Sequence, residues 1–294
     1  MAWGGRCFDP FEHMSRMAGV QCVIDLHCHL LPGIDDGAPD IDISLAMARA
    51  SVADGITVTA CTPHIMPGVY NNNRGLIEER MAMLSARFAE EGIAMRLVVG
   101  ADVHMDVDLV PGLKSGRIPS LNNSRYFLFE PPHHVPPPRI EDNIFSIMSA
   151  GYVPILTHPE RLSWVESHYA VMERLVRMGV LMQITAGSVT GQFGRRIRHF
   201  ADRMIDEGLV HILATDAHNL TSRPPNLSKA RDIIAARLGE DESRHMTTTR
   251  PQAILDNLSP DQMPATASEQ PVARGDSAKG FLARLGFGRA RRAS

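Results

Sequence analysis

Between residues 23 and about 239, short β-branched or apolar runs alternate with longer stretches of helical periodicity. This alternation constrains the chain more than any other feature, because it is the pattern of repeated βα units around a parallel sheet. The runs predict seven strands, at 22–28, 56–62, 96–103, 125–130, 152–158, 180–186 and 209–216. Helices are predicted at 41–53, 76–90, 140–150, 169–178, 196–207 and 228–238. In the first of them Ile43, Met47 and Ala50 line one face, Asp40 or Asp42 can cap the start, and Gly55 follows the end. A parallel sheet buries both faces, and no strand is followed by a GxGxxG or GxxxxGK(S/T) turn, so at this length the pattern favours a closed or nearly closed barrel.

The ends read differently. Residues 1–21 precede the first strand without periodicity and form an N-terminal extension; 22–258 hold the barrel, closing with a short helix near 252–258; 259–294 form a linker and tail. In the tail, 273–294, Arg274, Lys279, Arg284, Arg289, Arg291 and Arg292 meet the single acid Asp276, with Phe281, Leu282, Leu285 and Phe287 between them. Because Gly280, Gly286 and Gly288 weaken any helix, such a segment reads first as a solvated tail, and second as a peripheral contact with anionic lipid or with the acidic surface of a partner protein. Over the whole chain 30 basic residues meet 33 acidic ones, and a net charge of -3 speaks against nucleic acid as a partner. Cys7, Cys22, Cys28 and Cys61 lack CxxC spacing and cannot staple the rest of the chain, which points to a reducing compartment. With no apolar run of about 18 residues and no signal-peptide core, the expected location is cytoplasmic.

Nearly every predicted strand ends in His, Asp or Glu, at the edge that a barrel uses for catalysis. His27 and His29 lie at i and i+2, so in an extended strand both imidazoles face one side and can share a divalent cation. The second strand runs into His64, the third ends at Asp102, the fourth at Glu130, the fifth at His158 with Arg161 beyond it, and the seventh at Asp216 and His218. Only the sixth, ending QITAGS, offers no ligand. A lone His or Asp at a strand end is usually a cap or a satisfied hydrogen-bonding group. Five histidines and three acids on one rim are not explained that way and predict a metal cluster. Imidazole and carboxylate donors suit Mn, Fe or Zn better than Ca or Cu(I), and the ligands outnumber what one ion can use, so two or three ions are expected. Asp35 and Asp36 follow the first pair closely and read equally well as turn chemistry or as part of the site.

The strings DLHCHLLPGIDDG, TPH, GAD, SRYFLFE, HPER, QITAGSVTG and ATDAHNLTSRPP, in this order and spacing, resemble the PHP (polymerase and histidinol phosphatase) superfamily. More narrowly, the chain is similar to the manganese-dependent tyrosine-protein phosphatases of bacterial capsule and exopolysaccharide operons. The resemblance spans roughly 23–258 and implies a distorted (β/α)7 barrel of the PHP type with three metal ions, Mn2+ first among them. Position by position it implies His27, His29, His64, Asp102, Glu130, His158, Asp216 and His218 as ligands, and Arg161 and Arg223 as phosphate-binding residues. It also implies the partner, a bacterial tyrosine kinase bearing phosphotyrosine. One position departs: the family usually has Glu where this chain has Asp102, one methylene shorter at a position that bridges metals.

The chemistry follows from the residues as well. Clustered divalent ions make hydroxide available near neutral pH and offset the charge of a phosphate group, so phosphomonoester hydrolysis is the natural reaction. Arg161, three residues after His158, and Arg223, five after His218, supply the positive charge that the equatorial oxygens need. A phenolate leaving group, with a pKa near ~10, relaxes the demand for a general acid, for which Asp36 and His134 are the candidates. A thiolate mechanism is excluded, because no cysteine is followed by Arg six positions later. His133 and His134 follow Glu130 on a proline-rich loop, where His134 is the better placed to meet substrate. The expected function is therefore a metal-dependent protein-tyrosine phosphatase; the alternatives are hydrolysis of a small phosphomonoester such as histidinol phosphate, and a catalytically silent PHP binding module.

Overall fold

The structure is a computed structural model and describes residues 22–266. The readings of 1–21 as an extension and of 273–294 as a solvated or membrane-contacting tail lie outside the described residues.

Nine parallel-paired strands run through the described residues: β1 (Val23–Cys28), β2 (Ile56–Cys61), β3 (His64–Ile65), β4 (Arg96–Val99), β5 (Asp102–His104), β6 (Tyr126–Glu130), β7 (Val153–Thr157), β8 (Leu181–Thr185) and β9 (Ile212–Ala214). Between them lie α1 (Ile41–Ala53), α2 (Arg74–Glu91), α3 (Leu109–Lys114), α4 (Ile140–Ser149), α5 (Tyr169–Arg177), α6 (Ala186–Thr190), α7 (Arg195–Asp206) and α8 (Ser228–Leu238), and α9 (Glu240–Arg244) and α10 (Arg250–Leu255) follow. Asp40 caps α1 by accepting from the Ile43 amide, and Asn73 caps α2 by accepting from the Leu76 amide.

The expectation of seven unbroken strands is corrected at two places. The predicted third strand breaks at Gly100 and Ala101, giving β4 and β5, and the second ends at Cys61, with β3 resuming beyond Pro63. Proline cannot donate to a ladder, and Gly100 is a point of close approach: a Cβ there would stand 2.8 Å from Leu121 Cδ2 and 3.0 Å from Thr62 Cγ2. The two breaks lie side by side, since the Asp102 amide donates to the Pro63 carbonyl. The strands accordingly divide into a sheet of order β1-β2-β4 and a sheet of order β3-β5-β6-β7-β8-β9. The end of β9 returns to β1, where the Asp216 amide donates to the His27 carbonyl (2.8 Å) and the His29 amide to the Ala217 carbonyl (2.9 Å).

Ile24, Leu26, Val58, Val98, Tyr126, Leu128, Ile155 and Ile212, drawn from strands of both sheets, pack into one cluster together with Ile254 and Leu255 of α10. A larger apolar layer lies between the strands and the helices. The register of β1 on β2 slips between Asp25 and Cys28, which interrupts strict alternation. Leu26 therefore belongs to the first cluster and Cys28 to the larger one, while His27 and His29 converge at the C-terminal end of the strand, their Nε2 atoms 3.1 Å apart.

Candidate metal centre

Three groups of side chains at this end of the strands present ligand atoms within 4.8 Å of one another: His29, Asp36, His64 and His218; His27, His29 and Asp216; and His64, Asp102 and Glu130. They share His29 and His64, so the three form one continuous constellation. His158 stands beside it, its Nε2 3.6 Å from Glu130 Oε1 and its ring 5.9 Å from that of His27.

The neighbours of the histidines decide which nitrogen is free. Gln183 Oε1 lies 2.7 Å from His27 Nδ1, Asp35 Oδ2 lies 2.7 Å from His29 Nδ1, and the Asp216 carbonyl lies 3.0 Å from His218 Nδ1. Each acceptor draws the hydrogen to Nδ1 and leaves a lone pair on Nε2. The two lone pairs of His27 and His29 then face each other at 3.1 Å, an arrangement that needs a positive charge between or beside them. Both carboxylate oxygens of Asp102, Oδ1 of Asp216 and Nε2 of His218 are buried without a hydrogen-bond partner. Buried acceptors left unpaired in such number are costly in a folded protein, and their convergence fits divalent cations.

Asp102 reaches both sides of the constellation despite its short side chain: Oδ2 is 3.4 Å from His27 Nε2 and 3.5 Å from His64 Nδ1. Asp216 divides its two oxygens. Oδ2 accepts from both Arg161 and Arg223, while Oδ1 faces His27 Nε2 at 3.3 Å and His29 Nε2 at 3.5 Å. Asp216 and His158 also hold positive φ angles, 51° and 37°, conformations that a non-glycine residue keeps only where its surroundings demand them. Arg161 lies over the Phe193 ring at 5.1 Å. Arg223 is fixed by its loop, in which Asn219 Oδ1 accepts from the amides of Thr221, Ser222 and Arg223.

Without cations, protons take part of their place. Burial drives the His27 pKa down, but the carboxylates of Asp216 and Asp102 outweigh it and raise the value to about 9. His64 is likewise opposed by burial, yet Glu130, Asp102 and Asp36 lift it to about 10. Burial and the charge of His29 depress His218 to about 4, and burial with Arg161 holds His158 well below the usual range. His27 and His64 are thus protonated at neutral pH and must give up those protons to a cation. Calorimetric titration with Mn2+ in buffers of different ionisation enthalpy is expected to report release of about two protons per chain at pH 7, with apparent affinity rising as the pH is raised toward about 9. Binding without proton release would contradict this assignment.

Comparison with known proteins places the chain among relatives. A family model for capsular polysaccharide synthesis proteins, CpsB/CapC, matches residues 23–256. The chain belongs to the CpsB/CapC family. It is 33% identical over 252 residues to the tyrosine-protein phosphatase YwqE of Bacillus subtilis, covering 86% of this chain and 97% of that protein. It is 30% identical over 240 residues to the tyrosine-protein phosphatase CpsB of Streptococcus pneumoniae, covering 79% of this chain and 98% of that one. Among solved structures it superposes with a TM-score of 0.79, at 32% identity over 85% of this chain and 100% of the other, on a protein from work on YwqE and CpsB, described as unique metal-dependent tyrosine phosphatases. A β-aspartyl dipeptidase of Fervidobacterium islandicum, at 15% identity and a TM-score of 0.51 over 80% of this chain and 72% of that one, shares the fold alone.

Several positioning residues of this CpsB/CapC chain escape a reading of strand ends. Asp25, buried in β1, accepts from the Thr215 amide and hydroxyl and from the His27 amide, tying β1 to the loop that carries Asp216; burial raises its pKa to about 6. Glu160 is fully buried and accepts from the Thr185 amide (3.0 Å) and the Ser188 hydroxyl (2.6 Å), joining the loop after β7 to the end of β8. Gln183 orients His27 from the strand that supplies no ligand, and Asp35 also accepts from the amides of Gly37 and His64. The one available signal was a polar residue inside an apolar strand, as in VIDLHC and LMQIT. On the loop after β6 it is His133, not His134, whose ring neighbours His158, at 6.5 Å; His134 meets His133 edge-on at 4.8 Å.

Proposed function

We propose that this chain is a metal-dependent protein-tyrosine phosphatase that removes phosphate from a bacterial tyrosine kinase governing capsule or exopolysaccharide synthesis. The observation that carries this reading is the junction at Asp216, where one oxygen faces the lone pairs of His27 and His29 while the other holds two guanidiniums. Metal-ligating and phosphate-binding groups thereby meet at a single carboxylate. His27, His29, His64, Asp102, Glu130, His158, Asp216 and His218 would hold two or three ions, with Mn2+ the first choice and Fe or Zn compatible with the same donors. When bound, such ions supply the Lewis-acid chemistry that makes water nucleophilic near neutral pH and that offsets phosphate charge.

Each guanidinium carries five donors, so Arg161 and Arg223 can keep Asp216 in place and turn further N–H groups toward the equatorial oxygens of the phosphate. Both side chains are about one-fifth exposed, 19% and 22%, and so open to the solvent from which substrate arrives. Asp36, expected as a candidate acid, fits a ligand better. Burial favours its neutral form, but His218, His64 and His29 hold the carboxyl well below its usual range, so it keeps no proton at neutral pH. Departure of a phenolate is compatible with the absence of a strong acid at that position.

The two sheets are read here as two arcs of a distorted (β/α)7 barrel, supported by the backbone hydrogen bonds between the ends of β9 and β1. Free Cys22, Cys28 and Cys61 agree with a reducing, cytoplasmic setting, and no helix among the described residues is long and apolar enough to cross a membrane. The test is turnover of a phosphotyrosine peptide beside histidinol phosphate by the Mn2+-loaded protein. The peptide is expected to be the better substrate; preference for histidinol phosphate would move the chain to the small-molecule phosphatases.

A further inference from the structure

Directly behind His64 the protein has a second concavity that the metal centre does not use. Tyr70 lies nearly parallel to the His64 ring, with centroids 5.7 Å apart and an interplanar angle of 15°, and Tyr70 is also a wall of a cavity of about 310 Å³. The floor is apolar, built from the buried side chains of Ile65, Val103, Leu109 and Ile118. An open hollow of about 460 Å³ continues outward from it past Asn73 and Arg117, so cavity and hollow form one groove leading away from the metal centre.

The mouth of the cavity has two unusual properties. Val69 and Val107, next in sequence to the lining residues Tyr70, Asp106 and Asp108, are 59% and 94% exposed and add apolar surface beside it. The Arg117 guanidinium makes no ion pair or hydrogen bond among the described residues, and Asp106 and Asp108 carry carboxylates on the opposite loop. One cation against two anions gives no field that would gather a second phosphate or a nucleotide. An apolar floor with a mixed-charge rim instead suits an apolar side chain whose backbone remains in water.

We propose that this groove is the subsite for the polypeptide flanking the phosphotyrosine, and that its inner cavity takes one aliphatic or aromatic side chain of the substrate. The proposal rests on the phosphotyrosine reading above and adds the feature that separates a protein substrate from a free phosphomonoester. The occupant follows from continuity: Tyr70 stacks on His64 of the metal centre and also walls the cavity, so a chain whose phosphotyrosine reaches His64 has Tyr70 and the cavity as its next contacts. An extended chain advances about 3.3 Å per residue, which puts the recognised side chain within about three residues of the phosphotyrosine.

The experiment compares free phosphotyrosine with phosphotyrosine peptides carrying Leu or Gly at each of the three positions on either side, using the Mn2+-loaded enzyme. At one position Leu is expected to raise kcat/KM about tenfold over Gly. Arg117→Trp, which plugs the mouth from an exposed position, and Val107→Asp, which makes the rim more acidic, should each erase that preference while leaving turnover of free phosphotyrosine unchanged. Equal rates for all Leu and Gly peptides, or a preference that survives both substitutions, would overturn the subsite. If neither free phosphotyrosine nor any of the peptides were hydrolysed, the phosphatase reading would fail, and calorimetric binding of the same peptides would decide the groove independently: tighter binding of a Leu peptide supports it and equal affinities refute it.

Discussion

Replacing Asp216 by alanine is expected to abolish phosphatase activity, with a fall in kcat/KM of well over a thousandfold, and to lower bound metal at the same time. No other side chain is asked to do as much. Its Oδ1 faces the Nε2 atoms of both His27 and His29, and its Oδ2 anchors both Arg161 and Arg223. Removing one preorganised charge-stabilising donor costs about 10²–10³ in rate, and this substitution takes away a metal ligand and frees two guanidiniums together. It also leaves those two cations without their carboxylate, so the fold should be checked by near-ultraviolet circular dichroism beside turnover and metal content. Activity within tenfold of the parent protein would remove Asp216 from the centre of the mechanism.

The second large effect is expected to separate the two halves of that junction. Arg161→Ala and Arg223→Ala should each lower kcat/KM by about 10²–10³, while the metal content of the purified protein stays at the parent level. Arginine has no lone pair to offer a cation, and in each variant Asp216 Oδ2 keeps the other guanidinium as its partner, so the metal-facing side of the junction should survive. Arg161 is carried by the turn after β7, where the Arg161 amide donates to the His158 carbonyl, and Arg223 by the Asn219-centred loop. Neither substitution touches the groups that fix His27 and His29. Loss of metal in either variant would mean that the arginines act by holding Asp216 in place rather than by meeting the substrate.

Much of this site was legible in the sequence because both of its periodicities are local. Apolar runs ending in His, Asp or Glu place side chains on one rim whatever the exact register, so the eight predicted ligands come together, seven of them within the three ligand groups and His158 at their border. What stayed hidden depends on partners far away in the chain. The break at Gly100 follows from the nearness of Leu121 and Thr62, which appears only when the strands are assembled. Asp25 reads as an anomaly in an apolar strand until Thr215, 190 residues later, supplies its donors. Asp36 could equally be a turn residue, an acid or a ligand, and only the approach of His64 Nε2 at 3.5 Å and His218 Nε2 at 3.4 Å favours the last. Asp102, one methylene shorter than Glu, brings Oδ2 within 3.5 Å of both His27 and His64.

The central claim is that these residues make a phosphotyrosine phosphatase only with divalent cations in place. Its most direct test is turnover of a phosphotyrosine peptide by chelator-treated protein as Mn2+ is titrated back, with bound metal counted in the same samples. Activity is expected to be absent after chelation and to return in proportion to occupancy, saturating at two or three ions per chain. Full activity in metal-free protein, or metal rebinding that restores none, would contradict the account.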